Sequence, residues 1–195
     1  MVATAAACAA VALCPTGSGV AQAQPGFPPP IGSEIPSSML AVDSKFEYGG
    51  ETYTVTFKGG IKQRVDVNPD DPDNSVRLRT IGFKMTAESE EGGAITLEQN
   101  DVDVDARSTV TRTRQDPPRY EEKDFLDYAV TIELSGREPV ELHAKVPMIL
   151  TAQLTQFPAR AEMFHLQEPV EFVDPGNPGT TVARLTTFEA ERSSG

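Results

Sequence analysis

The amino-acid sequence predicts an all-β domain, an antiparallel up-and-down barrel of about eight or nine strands, with a two-sheet β-sandwich as the alternative. The first indication is residues 140–154, VELHAKVPMILTAQL, whose even positions are all apolar, which is the spacing of a strand with one buried face. The second is a series of such runs joined by short turns, with no long helical pattern; short connections favour antiparallel neighbours. The third is a change of register in two successive strands, typical of corners at which a sheet coils over.

The first 23 residues are predicted to be a signal peptide. They are uncharged and rich in Ala and Val, and they end in the A-x-A pattern at residues 21–23, which predicts cleavage before Gln24 and a secreted protein. The missing Lys or Arg near the start departs from that pattern. Either the true start lies upstream of this methionine, or the segment is an Ala-rich tail with no targeting role on a cytoplasmic protein. Both cysteines, Cys8 and Cys14, fall in this leader, so the mature chain is expected to have no disulfide bond.

Two further divisions of the chain follow from composition. Residues 24–36, QPGFPPPIGSEIP, are predicted to be a Pro/Gly-rich linker, and residues 37–195 a single β-barrel domain. The latter length suits one domain with a core of its own.

The charge of the chain excludes some partners. A formal net charge of −12 and a pI near 4.6 disfavour a nucleic-acid partner or an anionic membrane surface, because an acidic protein repels polyanions. The leader is too short and too interrupted by Pro and Gly to span a bilayer, so no membrane span is predicted. The oligomeric state stays open.

The first strands alternate apolar and polar residues. One alternating register contains Tyr53, Val55 and Phe57, and after a predicted turn at residues 59–60 the same alternation is repeated by Ile61, Gln63, Val65 and Val67. Residues 68–74, NPDDPDN, are predicted to be a turn. Its two prolines replace the glycine and distal glutamate of a calcium loop, so no metal site is predicted there.

Both register changes lie in the next two strands. In residues 76–87 the apolar positions pass from even (Val76, Leu78) to odd (Phe83, Met85), which predicts a β-bulge near residues 80–82. In residues 94–104 they pass from odd to even at residues 99–100. The apolar residues that show this second change are Ile95, Leu97, Val102 and Val104.

The candidate site lies at the second register change. A bulge re-aims side chains, so Glu98, Asn100 and Asp101 are the candidate catalytic groups if they enter an apolar lumen, where burial raises a carboxyl pKa. The alternative is a solvated outer face that discourages edge-to-edge association. The candidate ligand-binding residues are Phe83, Met85, Leu97, Gln99, Met148 and Phe164.

The later strands add core positions but few catalytic groups. Val130, Ile132 and Leu134 are predicted to face inward, as are Leu142, Val146 and Leu150 in the 140–154 run. His143 and His165 fall on the outer register. The sequence has no zinc-protease, nucleophile-elbow or phosphate-loop motif, so no metal and no cofactor are predicted.

From about Ile35 onward the chain resembles small actinobacterial β-barrel proteins, including allene-oxide-cyclase-like polyketide cyclases. The resemblance lies in size, acidic composition and strands such as residues 75–83 and 95–105. It implies a barrel that binds an apolar, polyketide-like small molecule, and a cofactor-free cyclase or isomerase activity. The alternative function is an exported structural or protein-interaction domain with no catalytic activity.

Overall fold

The structure is a computed structural model that describes residues 26–89, 92–103 and 106–195. These residues form thirteen antiparallel strands and no α-helix, so none of their elements is a helix that could cross a membrane. The strands are β1 (Glu34–Tyr48), β2 (Glu51–Val67), β3 (Ser75–Glu88), β4 (Gly93–Gln99), β5 (Ser108–Gln115), β6 (Pro118–Leu126), β7 (Tyr128–Leu134), β8 (Val140–Ala144), β9 (Met148–Leu154), β10 (Glu162–Leu166), β11 (Val170–Asp174), β12 (Asn177–Thr187) and β13 (Glu189–Ser194).

The strands close into two rings of eight that share β1, β2 and β3. The first ring runs β1-β2-β3-β4-β7-β8-β11-β12 and returns to β1, and the second runs β1-β2-β3-β5-β6-β9-β10-β13 and returns to β1. The rings occupy opposite ends of the shared strands. In β1, for example, residues 45–48 pair with β12 and residues 37–41 pair with β13.

The two rings are the two ends of one barrel. The other ten strands form five pairs that are consecutive in the chain. The two members of a pair hold the same position in the two rings, so the second strand continues the line of the first. The pairs are β4 with β5, β6 with β7, β8 with β9, β10 with β11, and β12 with β13. If each pair is counted as one interrupted strand, eight strands neighbour one another in chain order. The predicted antiparallel up-and-down barrel is confirmed.

The long strands bend where the two rings meet. The predicted bulge in β3 is confirmed: Lys62 pairs with Gly82 but Gln63 pairs with Thr80, so one residue of β3 is extra. The predicted turn at residues 59–60 is wrong, because β2 continues through both glycines. A Cβ on Gly59 would lie 2.0 Å from the carbonyl oxygen of Lys84, so the glycine serves close approach of two strands.

The second register change is a break in the strand. β4 ends at Gln99 and β5 begins at Ser108, so the predicted strand over residues 94–104 is too long, and Val102 is exposed. Val104 lies outside the described residues. The connection folds back on the β3 bulge, because the Asp103 amide and the Gln99 side chain both donate hydrogen bonds to the carbonyl oxygen of Thr80.

The 140–154 run is likewise interrupted. β8 and β9 are separated at residues 145–147, where Pro147 lacks an amide hydrogen to continue the ladder. Leu142 and Leu150 are buried as predicted, but Val146 lies in the interruption and is 56% exposed, so its inward placement is wrong.

An N-terminal segment closes the end of the second ring. The predicted leader lies outside the described residues, and β1 begins at Glu34, so the last residues of the predicted linker belong to the barrel. Phe27 packs against Tyr120 and Phe157 with ring centroids 5.0 and 6.3 Å away. We call these three rings the aromatic cap. Gly32 secures the segment by donating a hydrogen bond to the carbonyl oxygen of Val65.

Candidate functional site

The predicted ligand-binding side chains, apart from Gln99, lie inside the barrel. Phe83, Met85, Leu97, Met148 and Phe164 are all buried core residues. In the first ring the interior is aromatic: the Tyr128 ring packs edge-on against Phe83 at 5.9 Å and against Phe172 at 5.6 Å. Their predicted inward placement is confirmed, whereas their contact with a ligand stays a prediction.

The predicted catalytic side chains lie on the outside. Glu98 is exposed and forms an ion pair with Lys84 at 2.9 Å, and Asn100 and Asp101 are exposed in the connection that follows β4. The expected entry of these side chains into the lumen is not found, because the chain leaves the sheet at Gln99 instead of bulging within it. Their catalytic role stays a prediction.

Two of these residues, Glu98 and Asp101, border a broad outer groove of about 890 Å³. Glu98, Gln99 and Asp101 line it together with the backbone at Gly60 and Gly82, where the missing side chains leave the barrel surface low. The groove is open to solvent, and Lys84 neutralises Glu98.

A different set of polar side chains meets inside the second ring. Gln63 of β2, Glu122 and Asp124 of β6, and Arg192 of β13 are each at most 1% exposed. Strand alternation directs them inward, since the apolar residues Val65, Tyr120, Leu126 and Ala190 share their registers and are also buried. We call Gln63, Glu122, Asp124 and Arg192 the lumen cluster.

Within the lumen cluster, Asp124 has hydrogen-bond partners on both oxygens. Its Oδ2 accepts from Nη1 of Arg192 at 2.8 Å, and its Oδ1 accepts from Nε2 of Gln63 at 2.7 Å. Burial raises the pKa of the Asp124 carboxyl, and the Arg192 charge and the two hydrogen bonds act against that rise. When one carboxylate of the cluster is ionised, this geometry places the charge on Asp124.

Glu122 is much less well partnered. Its Oε1 lies 2.8 Å from Nη2 of Arg192, an ion-pair distance without hydrogen-bond alignment, and the same nitrogen donates to Oε1 of Gln63. Among the described residues, Oε2 of Glu122 and Nε of Arg192 have no hydrogen-bond partner. Burial raises the pKa of Glu122 to about 8; the charge of Arg192 opposes this rise, and the charge of Asp124 adds to it. At neutral pH the Glu122 carboxyl therefore mostly holds its proton.

The surroundings of the cluster limit where it can act. The Phe164 ring lies 4.6 Å from the guanidinium carbon of Arg192 and covers one face of that group. Ala152 is opposite Glu122 in the sheet, and Tyr120, two residues before Glu122 on the same inward face, belongs to the aromatic cap. Two residues along a strand span about 7 Å. Glu122 therefore lies one side chain below the capped end.

The chemistry available here is that of a neutral carboxylic acid beside a guanidinium in the barrel interior, next to apolar residues such as Ala152 and Phe164. A protonated carboxyl donates a hydrogen bond, and an apolar environment makes such a donor stronger towards an oxygen acceptor. Among the described residues, no group of three or more His, Cys, Asp and Glu side chains is placed to hold a metal ion.

Sequence reasoning missed this cluster, although a signal was present. The even register of Val130 and Ile132, extended back through Tyr128 and Leu126, reaches Asp124 and Glu122. Gln63 lies in the inward register recognised for β2. For Arg192, the residues two positions away on the same face do not indicate an inward register, because Ala190 is small and Ser194 is polar.

Comparison with known proteins informs the fold only. No protein-family model matches the sequence, and no curated protein matches it significantly. Among solved structures, the chain is similar to DynF from the dynemicin biosynthesis pathway of Micromonospora chersina. The TM-score is 0.63 and the identity 20%, over 85% of this chain and 82% of that one. The similarity supports the all-β antiparallel architecture and the resemblance to actinobacterial barrels.

Proposed function

We propose that this protein is a small-molecule-binding barrel that holds an apolar, polyketide-like molecule in the second ring and acts on it as a cofactor-free cyclase or isomerase. One observation carries the proposal. A carboxyl group with an unpartnered oxygen is buried beside a guanidinium inside the second ring. Burying an unpartnered polar group costs on the order of 1–3 kcal/mol of folding stability. Such a group therefore needs an explanation, and a ligand that forms a hydrogen bond with it supplies one.

The fold comparison supports the same proposal indirectly. DynF, which shares the architecture, belongs by its description to a biosynthetic pathway for a small molecule. A barrel of eight strands has an interior just wide enough for side chains or for one small ligand. Cyclisation inside such a chamber requires folding of the substrate and a few orienting polar contacts, which the lumen cluster provides.

A second candidate is a structural or protein-interaction domain with a filled core. The observation that favours it is the dense aromatic packing of the first ring, where Phe46, Phe172, Tyr128 and Phe83 form a continuous series of ring contacts. A domain of this kind needs no chamber, and its polar cluster would be purely structural.

Dye binding separates the two candidates. The neutral, environment-sensitive dye Nile red should bind the folded protein saturably, and Ala152→Leu should weaken binding because its larger side chain projects into the ring interior opposite Glu122. Gln153→Leu places the same side chain on the outer face of β9 and is the matched control. Circular dichroism verifies that both variants are folded.

The outcomes are distinct. Saturable binding that Ala152→Leu reduces and Gln153→Leu does not supports a ligand chamber. No saturable binding by the folded protein, or equal effects of both variants, favours the filled interaction domain. For the cyclase activity, the expected product is a cyclised form of the substrate with altered chromatographic retention and either unchanged mass or the loss of water. No oxidation or reduction is expected, because no cofactor takes part.

A further inference from the structure

We propose that Glu122 and Arg192 form a subsite that binds a neutral carbonyl oxygen of the ligand and rejects a carboxylate. This inference rests on the proposed function and specifies its ligand. It follows from the charge balance of the lumen cluster, from the two unpartnered polar atoms and from their place near the capped end of the barrel.

The charge balance is the first step. One guanidinium faces two carboxyl groups, and Asp124 already accepts two hydrogen bonds, one of them from that guanidinium. A second negative charge in the barrel interior would be uncompensated, and such charges are costly enough that the group takes up a proton instead. With Arg192 and Asp124 charged and Glu122 protonated, the cluster is neutral.

The unpartnered atoms are the second step. In this state the Glu122 carboxyl and the Arg192 Nε–H are both donors, and among the described residues neither has an acceptor. The two side chains are in contact, since Oε1 of Glu122 lies 2.8 Å from Nη2 of Arg192. Two buried donors on side chains that contact each other suit one oxygen atom that accepts two hydrogen bonds, as a ketone or ester carbonyl does.

The charge of the cluster also disfavours a carboxylate ligand. A carboxylate would bring a net negative charge into a neutral cluster and would lie close to Asp124, so low-dielectric repulsion opposes part of its attraction to Arg192. A hydrocarbon of the same shape would leave both donors unsatisfied. The expected order of affinity is therefore ketone, then hydrocarbon, with the carboxylate below the ketone.

Three matched probes test this order by displacement of Nile red from the folded protein: acetylnaphthalene, ethylnaphthalene and naphthoate. They share one ring system and differ in the group presented to the cluster. For the natural sequence, acetylnaphthalene should bind about fivefold to tenfold more tightly than ethylnaphthalene, the effect of about one hydrogen bond. Naphthoate should bind more weakly than acetylnaphthalene.

Three variants locate the effect. Glu122→Met removes the oxygens at similar volume and should bring the two neutral probes to within about twofold of one another. Glu122→Gln keeps an N–H donor and should retain the ketone preference. Glu121→Met makes the same change on the outer face, where Glu121 contacts Gln153, and should leave the preference unchanged.

Equal displacement of dye from the natural sequence by the two neutral probes overturns the subsite. So does a ketone preference that Glu122→Met leaves undiminished, or an affinity for naphthoate tighter than that for acetylnaphthalene. In those cases Nile red is still bound and the proposed ligand chamber stands. If the folded protein takes up no dye, the ligand chamber itself fails, and the subsite fails with it.

Discussion

At the scale of single residues, the lumen cluster is a costly arrangement. Glu122, Asp124 and Arg192 lie in a chamber otherwise lined by residues such as Leu150 and Ala152, and water no longer solvates their charges. Removing one partner of such a group leaves the others uncompensated, which is strongly destabilising. Protonation of Glu122 relieves this imbalance, so the stability of the fold depends on pH.

We expect the protein to lose stability between about pH 5 and pH 8. Burial raises the folded-state pKa of Glu122 from 4.5 to about 8, so the unfolded chain releases this proton at a lower pH than the native protein. The stabilising contribution is complete below 4.5 and is lost as pH rises through 8. Asp124, whose pKa burial also raises, acts in the same direction.

Thermal melts of the natural sequence and of Glu122→Gln across this pH range provide the measurement. The amide does not titrate, so the variant should show a shallower decline. The charged groups in contact with Glu122 are Arg192 and Asp124, and both are unchanged in the variant. Parallel melting curves for the two proteins would contradict the assignment.

Core packing gives a second prediction at this scale. Leu150→Ala should cost on the order of 2–5 kcal/mol, because the side chain is fully buried opposite Asp124 and its loss leaves a cavity. His143→Ala should change stability by less than about 0.5 kcal/mol, since that side chain is 42% exposed. Chemical denaturation measures both. A similar cost for both variants would mean that the register is misassigned.

At the scale of the elements, sequence periodicity was sufficient for much of the fold. The passage from Leu78 to Phe83 located the β3 bulge, because an extra residue is the only way for a strand to exchange its faces. Periodicity failed at Gly59, where glycine serves close strand contact rather than a turn, and at Val146, where the even register continues across an interruption. It also missed Glu122, because alternation arguments follow apolar residues and a buried acid looks like a surface position.

The N-terminal segment is the element that packs over the capped end of the second ring. It crosses the end of the second ring and places Phe27 in the aromatic cap, where the Arg112 guanidinium lies 5.6 Å from the Phe27 ring. The segment has few backbone hydrogen bonds to the barrel, so we expect its local opening to require less free energy than separation of the paired strands at this end.

Phe27→Ala should accelerate both uptake and release of Nile red, with a smaller effect on the equilibrium affinity. The smaller side chain opens the capped end without touching the cluster. Stopped-flow fluorescence measures the rates, and Ile31→Ala, at an exposed position of the same segment, is the control. Unchanged rates in Phe27→Ala would place the entrance elsewhere.

At the scale of the whole molecule, closure of the sheet removes the free edges that would otherwise invite pairing with another chain. The acidic surface implied by the net charge of −12 adds to that protection. Secretion stays a prediction, since the predicted leader lies outside the described residues.

The hydrogen bond between Ser37 and Ser194 spans 157 positions of the sequence. It belongs to the β1–β13 seam, which closes the second ring, and no local segment can form that seam before the intervening strands are in place. Folding that depends on such distant partners is slow, on the order of milliseconds to seconds. During synthesis one edge of β1 stays unpaired until β13 has been made. The growing chain therefore passes through a stage in which it can aggregate or bind chaperones.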